Sequence, residues 1–433
     1  MAKKKQALSP EERLAAALVP EEEWPYALPD GWKWVYLGEI TTIVGGGTPS
    51  SRCPEYYDDG KIPWITPADL SDYNEVYISH GRRNITQLGL EKSSAKLMPE
   101  NTVLLSSRAP IGYVAIAAND ICTNQGFKSF LPSIHFIPEY LYWFLKGNQA
   151  LLQQYASGTT FLELSSRRAS EIKLPIPPLS EQHRLVARIE SLFAKLDAAK
   201  EKVQSVLDSH ETRKAALLHA AFAGKLTAKW REENNKRACY AEEPLKNFVE
   251  TQYGYTEKSS FDIAGPHYLR ITDIQGETVD WNNVPNCSID ETNYQKYSLH
   301  PNDIVVARTG ATTGKSYMIG EDIDAVFASY LIRVQITNIR LLPKFLYMFF
   351  QSQEYWSQIM ELSAGIAQPG VNARKIQSMM ICVPSLPEQQ EIVRILDRLL
   401  AREQRARQAA EETLAAIDRM KQSILARAFR GEL

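Results

Sequence analysis

The sequence predicts an α+β chain: two mixed α/β globules, each followed by a long α-helix, with the two helices pairing as an antiparallel coiled-coil spacer. Three observations predict it. The segment Pro178-Leu179-Ser180-Glu181-Gln182 returns 207 residues later as Ser385-Leu386-Pro387-Glu388-Gln389, and the register still holds at Gly224-Lys225-Leu226 and Gly431-Glu432-Leu433. Both copies carry apolar residues at steps of four and three, the period of a helical seam. The segments before them hold short β-branched runs punctuated by glycine and proline, the pattern of strands joined by irregular loops.

Residues 1–25 read as an extension outside the repeat, and 26–180 as the first globule. Its Asn101-Thr102-Val103-Leu104-Leu105 parallels Asn302-Asp303-Ile304-Val305-Val306 in the second. Leu141-Tyr142-Trp143-Phe144 parallels Leu346-Tyr347-Met348-Phe349, which places helices near 138–155 and 343–361. The central helix spans 181–226, with Leu185, Ile189, Leu192, Leu196, Ala199, Val203 and Val206 on its stripe. Residues 227–245 read as a linker of balanced charge, and 246–386 as the second globule. The last helix, 387–433, carries Leu396, Leu399, Ala406, Ala410, Ile417, Met420 and Ile424 on a looser stripe. At about 1.5 Å per residue each helix reaches roughly 65 Å, too long to bury its stripe alone.

Composition narrows the function. With 44% hydrophobic and 23% charged residues, the 433-residue chain is globular rather than disordered. No apolar run is long enough to cross a membrane and the start does not resemble a secretory signal, so a cytoplasmic protein with no membrane partner is expected. Five cysteines without a C-x-x-C pair suggest neither a disulfide framework nor a zinc site. A net charge of −2 removes the argument from a globally basic chain and leaves only local basic patches for nucleic acid.

No catalytic constellation is legible. Gly310-Ala311-Thr312-Thr313-Gly314-Lys315-Ser316 imitates a phosphate-binding loop but has three residues between its glycines where that loop needs four, and it reads as a glycine turn beside a binding edge. The histidines are scattered, and there is no H-E-x-x-H or Gly-x-Ser-x-Gly. Pro29-Asp30 with Glu171-Ile172-Lys173 caricatures a nuclease metal site, but the parts lie far apart in sequence. No catalytic residue and no metal ligand is therefore assigned. Gly45-Gly46-Gly47 before Thr48 reads as a mobile recognition loop.

What remains is a binding surface. Arg82, Arg83, Arg108, Lys128, Arg167 and Arg168 in the first globule, and Arg270, Arg308, Lys315, Arg374 and Lys375 in the second, are interleaved with Trp64, Tyr113, Tyr268 and Tyr317. Arginine can grip guanine with two hydrogen bonds, and small polar side chains can read base edges or hold phosphates. Gly46, Gly47, Thr48, Gln125, Thr272 and Thr309 complete the DNA-binding set. Leu185, Ile189, Leu192, Leu196, Val203, Leu396, Leu399, Ile417 and Ile424 form the spacer and partner-binding set.

Several motifs together resemble a known family. Leu28-Pro29-Asp30-Gly31-Trp32, Leu37-Gly38-Glu39-Ile40, Gly46-Gly47-Thr48-Pro49, Ile62-Pro63-Trp64-Ile65, Ile111-Gly112, Asn124-Gln125-Gly126, Ser157-Gly158-Thr159-Thr160 and Leu174 to Gln182 look like the specificity (S) subunit of type I restriction-modification enzymes. The second half departs from the pattern, with Tyr268-Leu269-Arg270-Ile271-Thr272-Asp273-Ile274 where the Pro-Trp segment stands in the first.

The resemblance implies two target-recognition domains, each reading half of a split, asymmetric site in double-stranded DNA, with the paired helices fixing the spacing. It implies a chain without an active site or bound cofactor. Two methyltransferase (modification) subunits carrying S-adenosylmethionine, and restriction/translocase subunits using ATP and Mg, would attach to it. Two alternatives are a non-catalytic coiled-coil scaffold, which would explain the helices and not the globules, and a sequence-specific nuclease, which would need a carboxylate cluster.

Overall fold

The computed structural model describes residues 10–108, 110–156, 162–236, 241–363 and 370–433. Ser157-Gly158-Thr159-Thr160 and Cys239 lie outside these residues. The chain forms two compact units, Met1–Val203 with Thr413–Leu433, and Gln204–Glu412. Each holds one globule, the start of the helix that follows it, and the end of the other helix.

In the first unit five strands lie in the order Ile43–Gly45, Phe127–Phe130, Val103–Ser106, Val114–Ala117, Tyr77–Ile78, antiparallel except for the last pair. The central runs are buried at every position because both faces are covered. Val103, Leu105, Val114 and Ile116 join one core with the helix Pro138–Gly147, while Leu104, Ala115 and Ala117 join another. Successive side chains alternate across the sheet, so one strand feeds two cores. A second sheet orders Arg83–Ile85, Ile62–Ile65 and Cys122–Thr123, the last two running parallel.

The second unit repeats this plan. Val249–Tyr253, Leu331–Ile336, Ile304–Ala307 and Ser316–Met318 form one antiparallel sheet. Ser259–Ser260, Asn286–Cys287, His267–Leu269 and Ala325–Phe327 form the other, its last pair parallel. Ile304 and Val306 face one core, Val305 and Ala307 the other.

The long helices begin at Leu179 and Leu386, slightly earlier than expected. The second runs unbroken for 43 residues to Ala428, whereas the first stops at Asp208 and resumes as His210–Phe222. Ser209 Oγ donates to Ser205 O at 2.6 Å, a side-chain bond to the preceding turn that bends helices. The antiparallel pairing is visible in each unit. In the first, Lys421 meets Asp197 at 2.5 Å and Lys200 meets Asp418 at 3.4 Å. In the second, Arg213 meets Glu403 at 2.7 Å.

The stripes need correction. Leu185 and Ile189, with Leu425, Ala428 and Phe429, belong to the first globule's core, and Leu218, Ala221, Ile392 and Leu396 to the second's. Leu192, Leu196, Val203 and Leu399 are half-buried, Ile424 packs partly buried against the first globule's core, and Ile417 is buried. Val206, Ala406 and Met420 are exposed. A uniform stripe fails because each helix serves a globule at its ends and its fellow helix between them. Gly224 and Gly431, at φ +70° and +73°, close both copies in the left-handed conformation that ends a helix and suits glycine.

Two boundaries also shift. Within the expected extension, Ala17 and Val19 are buried, and Val19 N–H donates to Trp34 O at 2.9 Å, so residues from Pro10 onward belong to the first globule's fold. Within the expected linker, Ala228–Glu233 is helical, and Arg231 meets Glu388 at 2.7 Å. Glu242–Pro244 pairs with Met380–Cys382, so the second globule starts before residue 246. Among the described residues no helix is long and apolar enough to cross a membrane.

Candidate nucleic-acid interface

One end of the first unit gathers most of its candidate residues. Gly47 N–H donates to Thr123 O, Asn124 N–H to Ile65 O and Ser107 N–H to Gly126 O, at 2.7–2.9 Å. These bonds tie four loops into one rim at the ends of the strands. Thr48 Oγ1 hydrogen-bonds Gln125 Oε1, both exposed. Asp69 caps the turn Pro67–Leu70, accepting from Thr66 N–H at 2.7 Å, and also accepts from Arg82 N–H at 2.9 Å. The Arg82 side chain stays 79% exposed, and the Arg83 guanidinium stacks 3.7 Å above the Tyr57 ring. Arg108 pairs with Glu163 at 3.2 Å. Beneath them Lys128 is buried, its Nζ 3.9 Å from Glu163, and burial lowers its pKa against the pull of that carboxylate.

Two expectations fail here. The glycine loop is a packing device at Gly46 and Gly47: a Cβ at Gly46 would lie 2.0 Å from Asn124 O, and one at Gly47 2.3 Å from Ala95 N. Only backbone without side chains passes there. Trp64 is no stacking platform, being 6% exposed with Nε1 donating to Gly47 O at 2.9 Å. Both hold the rim on which Thr48 and Gln125 stand. Tyr113 is half-buried against the core.

The second unit builds the same rim from different side chains. Tyr255 N–H donates to Phe327 O, Ala328 N–H to Leu269 O and Arg308 N–H to Tyr330 O, at 2.8–3.0 Å. Gly254 takes the place of Gly46, since its Cβ would meet Ala328 O at 2.2 Å. This pattern equates Arg308 with Ser107, and Thr309 with Arg108. The equivalence is repeated where Leu164 N–H donates to Ser107 O and Val371 N–H to Arg308 O. The Arg308 guanidinium lies 4.9 Å over the Tyr253 ring, and its Nε has no hydrogen-bond partner among the described residues. Nη1 donates to Ser329 O at 3.5 Å, and stacking fixes the guanidinium plane, an arrangement that suits guanine or phosphate. Tyr330, beside it, is 62% exposed.

The other candidates are more dispersed. Arg270 is engaged by Asp273, Nη2 to Oδ1 at 2.7 Å, so it props the turn that Thr66 and Asp69 make in the first unit. Tyr268 is buried, its hydroxyl donating to Tyr255 O. Thr272 and Arg374 are exposed, and Thr309 is half-buried. Lys315 lines a cavity beside the helices, and the turn before it leads into the strand Ser316–Met318 and not into a helix, unlike a phosphate-binding loop. Arg167 and Arg168 share Glu171 at 3.5 and 2.6 Å, which removes that carboxylate from any metal site with Asp30. Among the described residues no group of three His, Cys, Asp or Glu side chains could hold a metal. Tyr253 and Tyr330 were not anticipated; Gly254 between two tyrosines was the one signal.

The comparisons agree with this duplicated plan. The family model of the type I restriction modification DNA specificity domain matches residues 29–207 and again 244–412. A curated relative, the type I restriction enzyme MjaIX specificity subunit of Methanocaldococcus jannaschii, is 40% identical over 183 residues, a match covering 42% of each chain. The EcoKI specificity subunit of Escherichia coli K12 is 25% identical over 94% of this chain and 90% of its own. The crystal structure of the HsdS subunit from Thermoanaerobacter tengcongensis superposes with a TM-score of 0.63 at 20% identity, covering 95% of this chain and all of that one, which shows a shared fold. With two DNA specificity domains along most of its length, the chain belongs to the type I restriction-modification DNA specificity family.

Proposed function

We propose that the chain reads a bipartite, asymmetric site in double-stranded DNA on behalf of a type I restriction-modification complex, one half-site per unit. The observation that carries this reading is a single rim built twice with unlike side chains: Ser107 and Arg108 in one unit answer to Arg308 and Thr309 in the other. Equal scaffolds with different hydrogen-bonding groups suit two different half-sites. The helices supply a spacer, and the twofold repetition suits two like partners. Two modification subunits would carry S-adenosylmethionine, and restriction/translocase subunits ATP and Mg. The chain itself would bind no cofactor and catalyse no step.

A scaffold role would leave both rims without a purpose, and a nuclease would need a carboxylate site that the described residues do not form. Gel-shift measurements with random duplex DNA and with DNA carrying the site, alone and with the methyltransferase partner, separate these readings. Site-dependent retention that needs no Mg and leaves the DNA intact is expected. Equal binding of all duplexes would reject the reader, and Mg-dependent cleavage by the purified chain would establish the nuclease.

A further inference from the structure

The second unit contains a cavity of about 830 Å³ between the helices and the globule, within the size range of small-molecule sites. The first unit offers an internal control, because the repeat register equates Trp143 with Met348, Phe193 with Leu400 and Ile417 with His210. In the first unit bulkier side chains stand at these positions. The Trp143 and Phe193 rings meet edge to face at 5.0 Å, and Ile417 is buried. In the second, smaller aliphatic side chains release the volume, and a histidine replaces the isoleucine. His210 is 7% exposed, and its Nδ1 has no hydrogen-bond partner among the described residues. A buried polar atom left unpaired lowers stability unless something else satisfies it.

The walls indicate the chemistry. Tyr347 and Trp356 offer aromatic surface, with Met348 and Leu400 as flat aliphatic surface. The charges are largely matched: Lys214 pairs with Glu277, Lys344 with Asp397 at 3.5 Å, and Glu403 with Arg213 at 2.7 Å. Lys315, exposed on the wall, has no ion pair among the described residues. We propose that this cavity binds a heteroaromatic anion the size of a nucleoside monophosphate. Its ring would lie against the aromatic and aliphatic walls and hydrogen-bond the His210 imidazole, with its anionic group at Lys315. The site is separate from the DNA-reading rims and does not depend on their assignment.

Calorimetric titration of the full chain with adenosine monophosphate, adenosine and inorganic phosphate tests it. One molecule of adenosine monophosphate should bind per chain, with adenosine and phosphate each at least about tenfold weaker, since each lacks half of the contacts. His210→Ile should weaken binding about tenfold, and Met348→Trp with Leu400→Phe, which restores the first unit's packing, should abolish it while DNA binding persists. Absence of binding at millimolar ligand would overturn the proposal, as would binding indifferent to these changes. If the double variant fails to fold, an unchanged affinity in His210→Ile is enough to reject the site.

Discussion

Arg308 shows how a residue's neighbours decide what it can do. Stacked on Tyr253 and paired with no carboxylate among the described residues, it can turn its charge to a ligand, whereas Arg108 is already committed to Glu163 and Arg270 to Asp273. Arg308→Ala should therefore cost about 1–3 kcal/mol at one base position of one half-site, leaving the other half-site read normally. Binding of the assembled methyltransferase to DNA altered base by base measures this. A uniform loss over all sequences with a flatter salt dependence would instead mark Arg308 as a phosphate contact. Gln182 and Gln389 explain the repeated Glu-Gln pair. Each is fully buried; Gln182 Nε2 donates to His135 O and Pro177 O at 2.9 and 3.0 Å while Oε1 accepts from Ile137 N–H at 3.0 Å. Gln389 repeats this with Arg340 O, Pro384 O and Leu342 N–H. Replacing either by Ala strands buried backbone groups and should cost roughly 1–3 kcal/mol per unsatisfied group, seen as a lower denaturant midpoint.

Among the elements, the helices carry the clearest prediction. If they set the distance between half-sites about one DNA turn apart, on the order of 34 Å, inserting four residues into each should lengthen the unspecified gap in the recognised site. An unchanged gap would show that they are not the ruler. The helices and the central strands were legible because burial imposes a pattern: Val103 to Leu105 and Ile304 to Ala307 are apolar throughout, and Leu185, Ile189, Ile392 and Leu396 keep helical spacing. The glycine–threonine loop was legible as a motif but not as a packing device, since the carbonyls that crowd Gly46 come from residues 123 and 124. Trp64 stood among the expected surface residues and Tyr330 did not, for a related reason. An aromatic residue in sequence does not reveal whether a distant loop covers it, and only the fold buries the first and exposes the second. The N-terminal segment escaped notice because Ala17 and Val19 offer too few apolar residues for a pattern; their burial comes from hydrogen bonding beside Trp34 and Tyr36.

For the whole molecule, duplication with divergence is the organising fact. Equivalent backbone bonds are kept at both rims, and equivalent glutamines and glycines anchor the helices, while the exposed side chains differ. A chain of this design should do no chemistry alone: purified free of contaminants, it should hydrolyse neither ATP nor DNA and transfer no methyl group, and robust turnover would contradict that. The central claim, that two unlike readers share one chain, is tested most directly by methylation-sensitive sequencing of the genome of a cell carrying the complete system. The account predicts a split methylated motif whose two halves differ in sequence and are separated by a gap of fixed length and unspecified bases. A single continuous motif, or two identical halves, would contradict it.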